Sequence, residues 1–142
     1  MTQAFNAATA ALLDKIRRAA YPPIYTLPIQ QARLAYQVGV QAMSLPNEPV
    51  ARVVNFEIPG PTGQAIPARL WAPVTRAEQT APLPVLLYLH GGGFIVGNIE
   101  TAEHMCRRIA LRSGAAVVAV DYRLGPEHPY PAALHDVIAA FD

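Results

Sequence analysis

The stretch most able to do chemistry is His90-Gly91-Gly92-Gly93-Phe94-Ile95-Val96-Gly97, set between an apolar segment and a helix-like one. Three consecutive glycines leave backbone N–H groups uncovered by side chains and free to adopt positive φ. Such a loop can aim two amide donors at one negatively charged oxygen, as acyl transfer requires at its tetrahedral intermediate. A flexible turn with no chemical role accounts for the run equally well. Nucleotide binding is the rival chemistry, because strand, glycine loop, helix and a second strand ending at Asp121 imitate the first unit of a dinucleotide-binding fold. The spacing contradicts it. Starting G-x-G-x-x-G at Gly91 puts Val96 where the third glycine belongs, and the loop from His90 to Thr101 is too long to bring a helix N-terminus to a pyrophosphate. No G-x-x-x-x-G-K-S/T occurs either.

An oxyanion loop needs a nucleophile, and the serines do not supply one. Ser44 lies before Pro46 in a linker, and Ser113 stands in Arg112-Ser113-Gly114, where a helix stop explains it; neither occupies G-x-S-x-G. His104, His128 and His135 suggest a metal, but H-E-x-x-H is absent and Glu100 with His104 gives only two ligands, so no metal and no cofactor are expected. Cys106 sits beside Arg107 and Arg108, which would lower a thiol pKa. No glycine-rich elbow presents it, however, and buried packing is the expectation. Arg123 and Glu127, separated by a proline-containing turn, are expected to pair and pin the loop after a strand.

The elements that must position this loop follow from periodicity. Residues Ala8 to Ala20 read as a helix with Thr9 as its cap, Leu12, Leu13 and Ile16 on one face, and Pro22-Pro23 as its stop. A second helix opens on Pro28 and runs to about Met43, with Ile29, Leu34, Val38 and Met43 buried. After the linker at Pro46 and Pro49, Val50 to Ile58 and Ile66 to Ala72 are extended and joined by Pro59-Gly60-Pro61-Thr62-Gly63, which predicts a hairpin. Pro84 to Leu89 and Ala115 to Val120 are short apolar runs flanking a helix from about Thr101 to Arg112, the pattern of a buried parallel pair. A last helix opens on Pro131.

Composition narrows the classes. The chain has 142 residues, 52% hydrophobic and 15% charged, which is too apolar for disorder and suited to one core burying roughly 70% of the unfolded surface. A net charge of +1, with no basic run beyond Arg17-Arg18 and Arg107-Arg108, argues against nucleic acid or an acidic membrane as partner. A single cysteine excludes an intrachain disulfide framework and favours a reducing, cytoplasmic setting. The first basic residue is Lys15 and Asp14 breaks the apolar run, so neither an export signal nor a membrane span is expected.

Together, H-G-G-G-F-I-V-G at His90 to Gly97 and D-Y-R-L-G-P-E-H-P-Y-P-A-A-L-H-D at Asp121 to Asp136 resemble the hormone-sensitive-lipase-like family of α/β-hydrolases. The resemblance implies an α/β fold: a helical cap segment over residues 1–49 and the first half of the hydrolase core over residues 50–142. It also implies an oxyanion loop of His90, Gly91, Gly92 and Gly93, with the amides of Gly92 and Gly93 as donors and His90 shaping the loop rather than serving as triad base. Tyr21, Tyr25 and Tyr36 would lie on the cap near substrate, although packing is the expected role of each. The activity implied is hydrolysis of esters with short or medium acyl chains through an acyl-enzyme, with a small ester as partner. The family's nucleophile motif, G-D-S-A-G, is absent, as are the triad acid and base that follow it, so this chain reads as an amino-terminal portion, predicted inactive alone. A non-catalytic remnant, a binding module and one half of a split esterase are the alternatives. Gly125 stands where the family usually has alanine. In the family's strand order the strand at Pro84 to Leu89 keeps one edge unpaired here, which predicts self-association or pairing with a missing half.

Overall fold

The structure, a computed structural model, describes residues 5–142. Two helices come first. Helix α1 spans Ala7–Ala19 and α2 spans Ile29–Met43, with a single 3-10 turn at Ile24–Thr26 between them. The cap of α1 is Asn6 rather than Thr9, its side chain accepting from the Thr9 N–H. Pro28 is the cap of α2 rather than its first residue, so the helix starts at Ile29, one residue after the expected start.

Four strands follow: β1 Arg52–Pro59, β2 Ala65–Ala72, β3 Val85–Tyr88 and β4 Ala116–Val120. β1 and β2 form the expected antiparallel hairpin, with Asn55 opposite Arg69. Its turn closes through the Gly60 N–H on the Gln64 carbonyl at 2.7 Å. Helix α3, Ile99–Ser113, connects β3 to β4, and those two strands run parallel with Leu87 opposite Val118. The sheet order is β1-β2-β4-β3, so β4 lies between an antiparallel neighbour and a parallel one. β3 is an edge, and Val85 is 68% exposed there.

Alternation along β4 places helices on both faces. Val117 and Ala119 join Trp71 under α3, whose Ile99, Ala102, Cys106 and Ala110 make up the rest of that core. The small residues Ala102, Cys106 and Ala110, spaced by four, let the helix approach the sheet closely. On the other face Ile66, Ala68, Val120 and Tyr122 pack with Ala133, Val137 and Ala140 of α4, Ala132–Phe141. Ser113 ends α3 as expected, followed by Gly114 in the left-handed region at φ 73°.

The apolar faces expected of the first two helices do not pack. Within α2 only Ala32 is buried, while Leu34, Val38 and Met43 are exposed. No residue of α1 is buried, and Tyr21 and Tyr25 stand in solvent. Polar bonds tie α2 to the loops beyond the sheet, as its contacts there show.

Candidate active site

The glycine loop leaves the end of β3 and is tightened by its own backbone. The N–H groups of Ile95 and Val96 both donate to the Gly92 carbonyl at 3.1 Å. Gly92, Gly93 and Phe94 have φ of 139°, 62° and 61°, and Phe94 carries this as a non-glycine residue. A Cβ at Gly92 would overlap the Val96 carbonyl, so the loop closes only with glycine there. Among the described residues, neither the Gly92 nor the Gly93 N–H has a hydrogen-bond acceptor, and Gly93 is exposed.

His90 sits beneath the loop, 4% exposed, its ring stacked on Tyr122 with centroids 4.4 Å apart and planes 9° apart. The Tyr122 hydroxyl donates to the His90 carbonyl at 2.5 Å. Nδ1 of His90 lies 3.1 Å from the Gly91 carbonyl, a contact in which a protonated Nδ1 donates. Burial pushes the imidazole below its usual pKa, against the smaller opposing effect of that hydrogen bond. A neutral ring bonded to its own loop fixes the backbone turn.

Behind the loop, Asn98 and Thr101 cap α3 reciprocally, and the Ile99 N–H donates to Asp121 Oδ1 at 2.7 Å. Desolvation raises the Asp121 carboxyl to about 6 despite that hydrogen bond. A carboxyl that keeps its proton longer in the folded state than in the unfolded one stabilises the fold below about pH 4 and loses that contribution as pH rises toward 6. Asp121→Asn retains an acceptor for Ile99 and removes the charge. Compared with wild type, its urea midpoint is expected to fall less between pH 4 and pH 7; equal falls would show that Asp121 does not titrate in this window.

Arg123 and Glu127 do not pair. Arg123 turns to Asp136 of α4, its Nη2 2.8 Å from Oδ1, while Glu127 is carried to the opposite side and binds Arg33 of α2. The turn at residues 124–127 is not helical, so a spacing of four does not put both side chains on one face. Hydrogen bonds from Arg33 hold the Glu127 carboxyl below its ordinary pKa.

A polar cleft of about 380 Å³ lies between α2 and the loop, lined by Arg33, Gln37, His90, Asp121, Tyr122 and His128. An apolar groove of about 570 Å³ opens on the other side of the loop, with Leu89, Phe94, Ile95, Pro126, Tyr130 and Leu134 on its walls. Among the described residues no group of three or more His, Cys, Asp or Glu converges as a metal site, and no helix is long and apolar enough to cross a membrane. Cys106 is fully buried, as expected, and desolvation raises its thiol to about 12, opposite to the lowering that two neighbouring arginines would give. Ser44 Oγ donates to the Val40 carbonyl at 2.7 Å and lies 3.3 Å from His104 Nδ1. With its proton committed to the helix end, Ser44 is not poised as a nucleophile.

The roles of Arg33 and Asp136 were not anticipated from the sequence. Asp136 had a readable signal, because Ala133, Asp136, Val137 and Ala140 follow helical spacing and place one acid within an apolar face.

Residues 86–142 match the family described as alpha/beta hydrolase fold. Esterase LipI of Mycobacterium tuberculosis is 47% identical over 116 residues, covering 76% of this chain and 36% of that protein. Carboxylic ester hydrolase LipN of the same organism is 42% identical over 89 residues, 63% of this chain and 22% of that protein. An ester-hydrolase from the metagenome of Lake Arreo superimposes over 99% of this chain and 44% of its own, with a TM-score of 0.85 and 39% identity. An esterase of Pyrobaculum calidifontis does so over 91% and 40%, with a TM-score of 0.75 and 38% identity. The chain thus spans about a third of the length of LipI and less than half of these solved chains. By sequence and fold together, the chain is an α/β-hydrolase-fold chain similar to esterases of the hormone-sensitive-lipase-like kind.

Proposed function

We propose that this chain supplies the oxyanion-binding part of a carboxylic ester hydrolase acting on short or medium acyl esters, with the nucleophilic serine coming from sequence outside these residues. The observation that carries the reading is the loop at Gly92 and Gly93. Its Gly92 carbonyl is consumed by two internal hydrogen bonds, while two successive N–H groups are left without acceptors among the described residues. Donors fixed before an oxyanion forms cost no reorganisation when it does. The apolar groove beside Phe94 supports an acyl or alcohol group of modest size. The open edge of β3, uncharged at Val85, Leu86 and Leu87, supports the addition of a completing strand from further sequence or a second copy.

The test is a chimera in which this chain replaces the matching stretch of Esterase LipI. The chimera is expected to hydrolyse p-nitrophenyl acetate with saturation, and the 142-residue chain alone to show no saturable turnover. A folded chimera without activity would overturn the reading of the loop; saturable turnover by the isolated chain, lost on changing Ser44 or Ser113, would overturn the assignment of the nucleophile.

A further inference from the structure

Arg33 is the one side chain of α2 that bonds to both segments shaping the candidate site. Its Nε donates to the Ile95 carbonyl at 2.9 Å, and its Nη2 to the Gly125 carbonyl at 2.9 Å. Nη1 and Nη2 also reach the Glu127 carboxylate, at 2.9 and 2.6 Å. The two loops so bridged already hold each other, because the Gly125 N–H donates to the Phe94 carbonyl at 2.8 Å. Phe94 lies between these attachments in the left-handed region, a conformation that a residue with a Cβ adopts at a cost and keeps only when its surroundings impose it. Relaxation at Phe94 would rotate the Gly93–Phe94 peptide and redirect the amides before it.

We propose that Arg33 is a positioning residue: it couples the docking of α2 to the left-handed backbone at Gly93 and Phe94. The proposal rests on the reading of that loop as an oxyanion site. Charge pairing alone does not explain the arrangement. The Arg33 and Glu127 side chains are 24% and 40% exposed, and a pair so open to water contributes little by attraction. What is specific is the planar fork, which bonds two carbonyls and a carboxylate at once; an ammonium group lacks that geometry. Because α2 buries only Ala32, the same fork is also a main attachment of the helix, helped by the Gln37 side chain on Asn98 at 3.0 Å. Docked helix and ordered loop are thereby one event.

Hydrogen exchange of the full 142-residue chain, read by mass spectrometry, tests this at the amides of Ile95, Val96 and Gly125, whose bonds define the loop. Arg33→Met is expected to speed their exchange tenfold or more while α3 keeps its protection. Arg33→Lys is expected to leave exchange fast, and Glu127→Gln to leave it within twofold of wild type, since both carbonyl bonds remain. Unchanged exchange in Arg33→Met, or full recovery in Arg33→Lys, would overturn the coupling. Should Arg33→Met unfold α3 as well, the lysine variant decides by the same criterion. No ester chemistry enters this readout, so its failure leaves the oxyanion reading standing, and an inactive chimera leaves the coupling standing.

Discussion

Replacing Asp136 with alanine is expected to cost about 3 kcal/mol or more of folding stability, the lower part of the range for breaking a buried charge pair. The carboxylate is fully buried and meets Arg123 through its backbone N–H at 2.9 Å, Nε at 2.9 Å and Nη2 at 2.8 Å, and Gln64 Nε2 at 2.9 Å. One residue of α4 therefore ties the hairpin turn to the segment after β4. Arg123 is 25% exposed and can recover some hydration when its partner is lost, which keeps the cost from the top of that range. Burial pushes the Asp136 carboxyl up, but the hydrogen bonds from Arg123 and Gln64 and the Arg123 charge together bring it below its ordinary value. A depressed carboxyl stabilises the fold above its unfolded pKa and loses that contribution as pH falls through its folded one. The difference in urea stability between wild type and Asp136→Ala should therefore be full at pH 7 and shrink below about pH 4. A difference that does not change between pH 7 and pH 3 would contradict the charged state assigned here.

Gly92→Ala in the LipI chimera is expected to lower kcat on the order of 10²-fold or more, the usual loss when one oxyanion donor is removed. The added methyl group acts on the loop itself. It overlaps the Val96 carbonyl, at a backbone φ of 139° that alanine rarely adopts, so the turn that holds the Gly92 and Gly93 amides must open. A larger residue such as valine would act by the same route, through the shape of the loop. On the proposed reading, in which the apolar groove takes the acyl or alcohol group, KM should change less than kcat. A correctly folded Gly92→Ala chimera with wild-type kcat would remove these amides from the mechanism.

Much of the architecture was legible because punctuation and period coincided. Pro22-Pro23, Pro46 and the Pro59 to Gly63 turn bounded elements whose ends fell within a few residues of those observed. Apolar runs flanking a helical segment sufficed for β3 and β4 to be read as a parallel pair. The burial of α2 was misread because helical spacing reports which residues share a face, and that face at Leu34 and Val38 points to solvent. Its attachment runs instead through Arg33 and Gln37, to partners whose sequence separations of 94 and 61 leave no local pattern. The pairing of Arg123 failed for a related reason. Glu127 was the nearest acid downstream, and only the packing of α4 against the sheet showed that the buried Asp136 takes the guanidinium. At the site, the glycine run was visible from the outset, whereas the stacking of His90 on Tyr122 joins residues from the ends of two strands.

The central place of β4 also sets the order in which the chain can acquire structure during synthesis. The hairpin of β1 and β2 is complete early, but an isolated two-stranded ribbon is marginal in water. β3 emerges next with no neighbour, because both it and β2 pair with a strand that ends only at Val120. Until the ribosome has passed that point, Val85, Leu86 and Leu87 form an apolar strand with two free edges, the state in which nascent chains are most exposed to misassembly. On its arrival β4 pairs with β2 and β3 at once, leaving β3 a single free edge, so assembly of the sheet is expected as one late step rather than a gradual accretion.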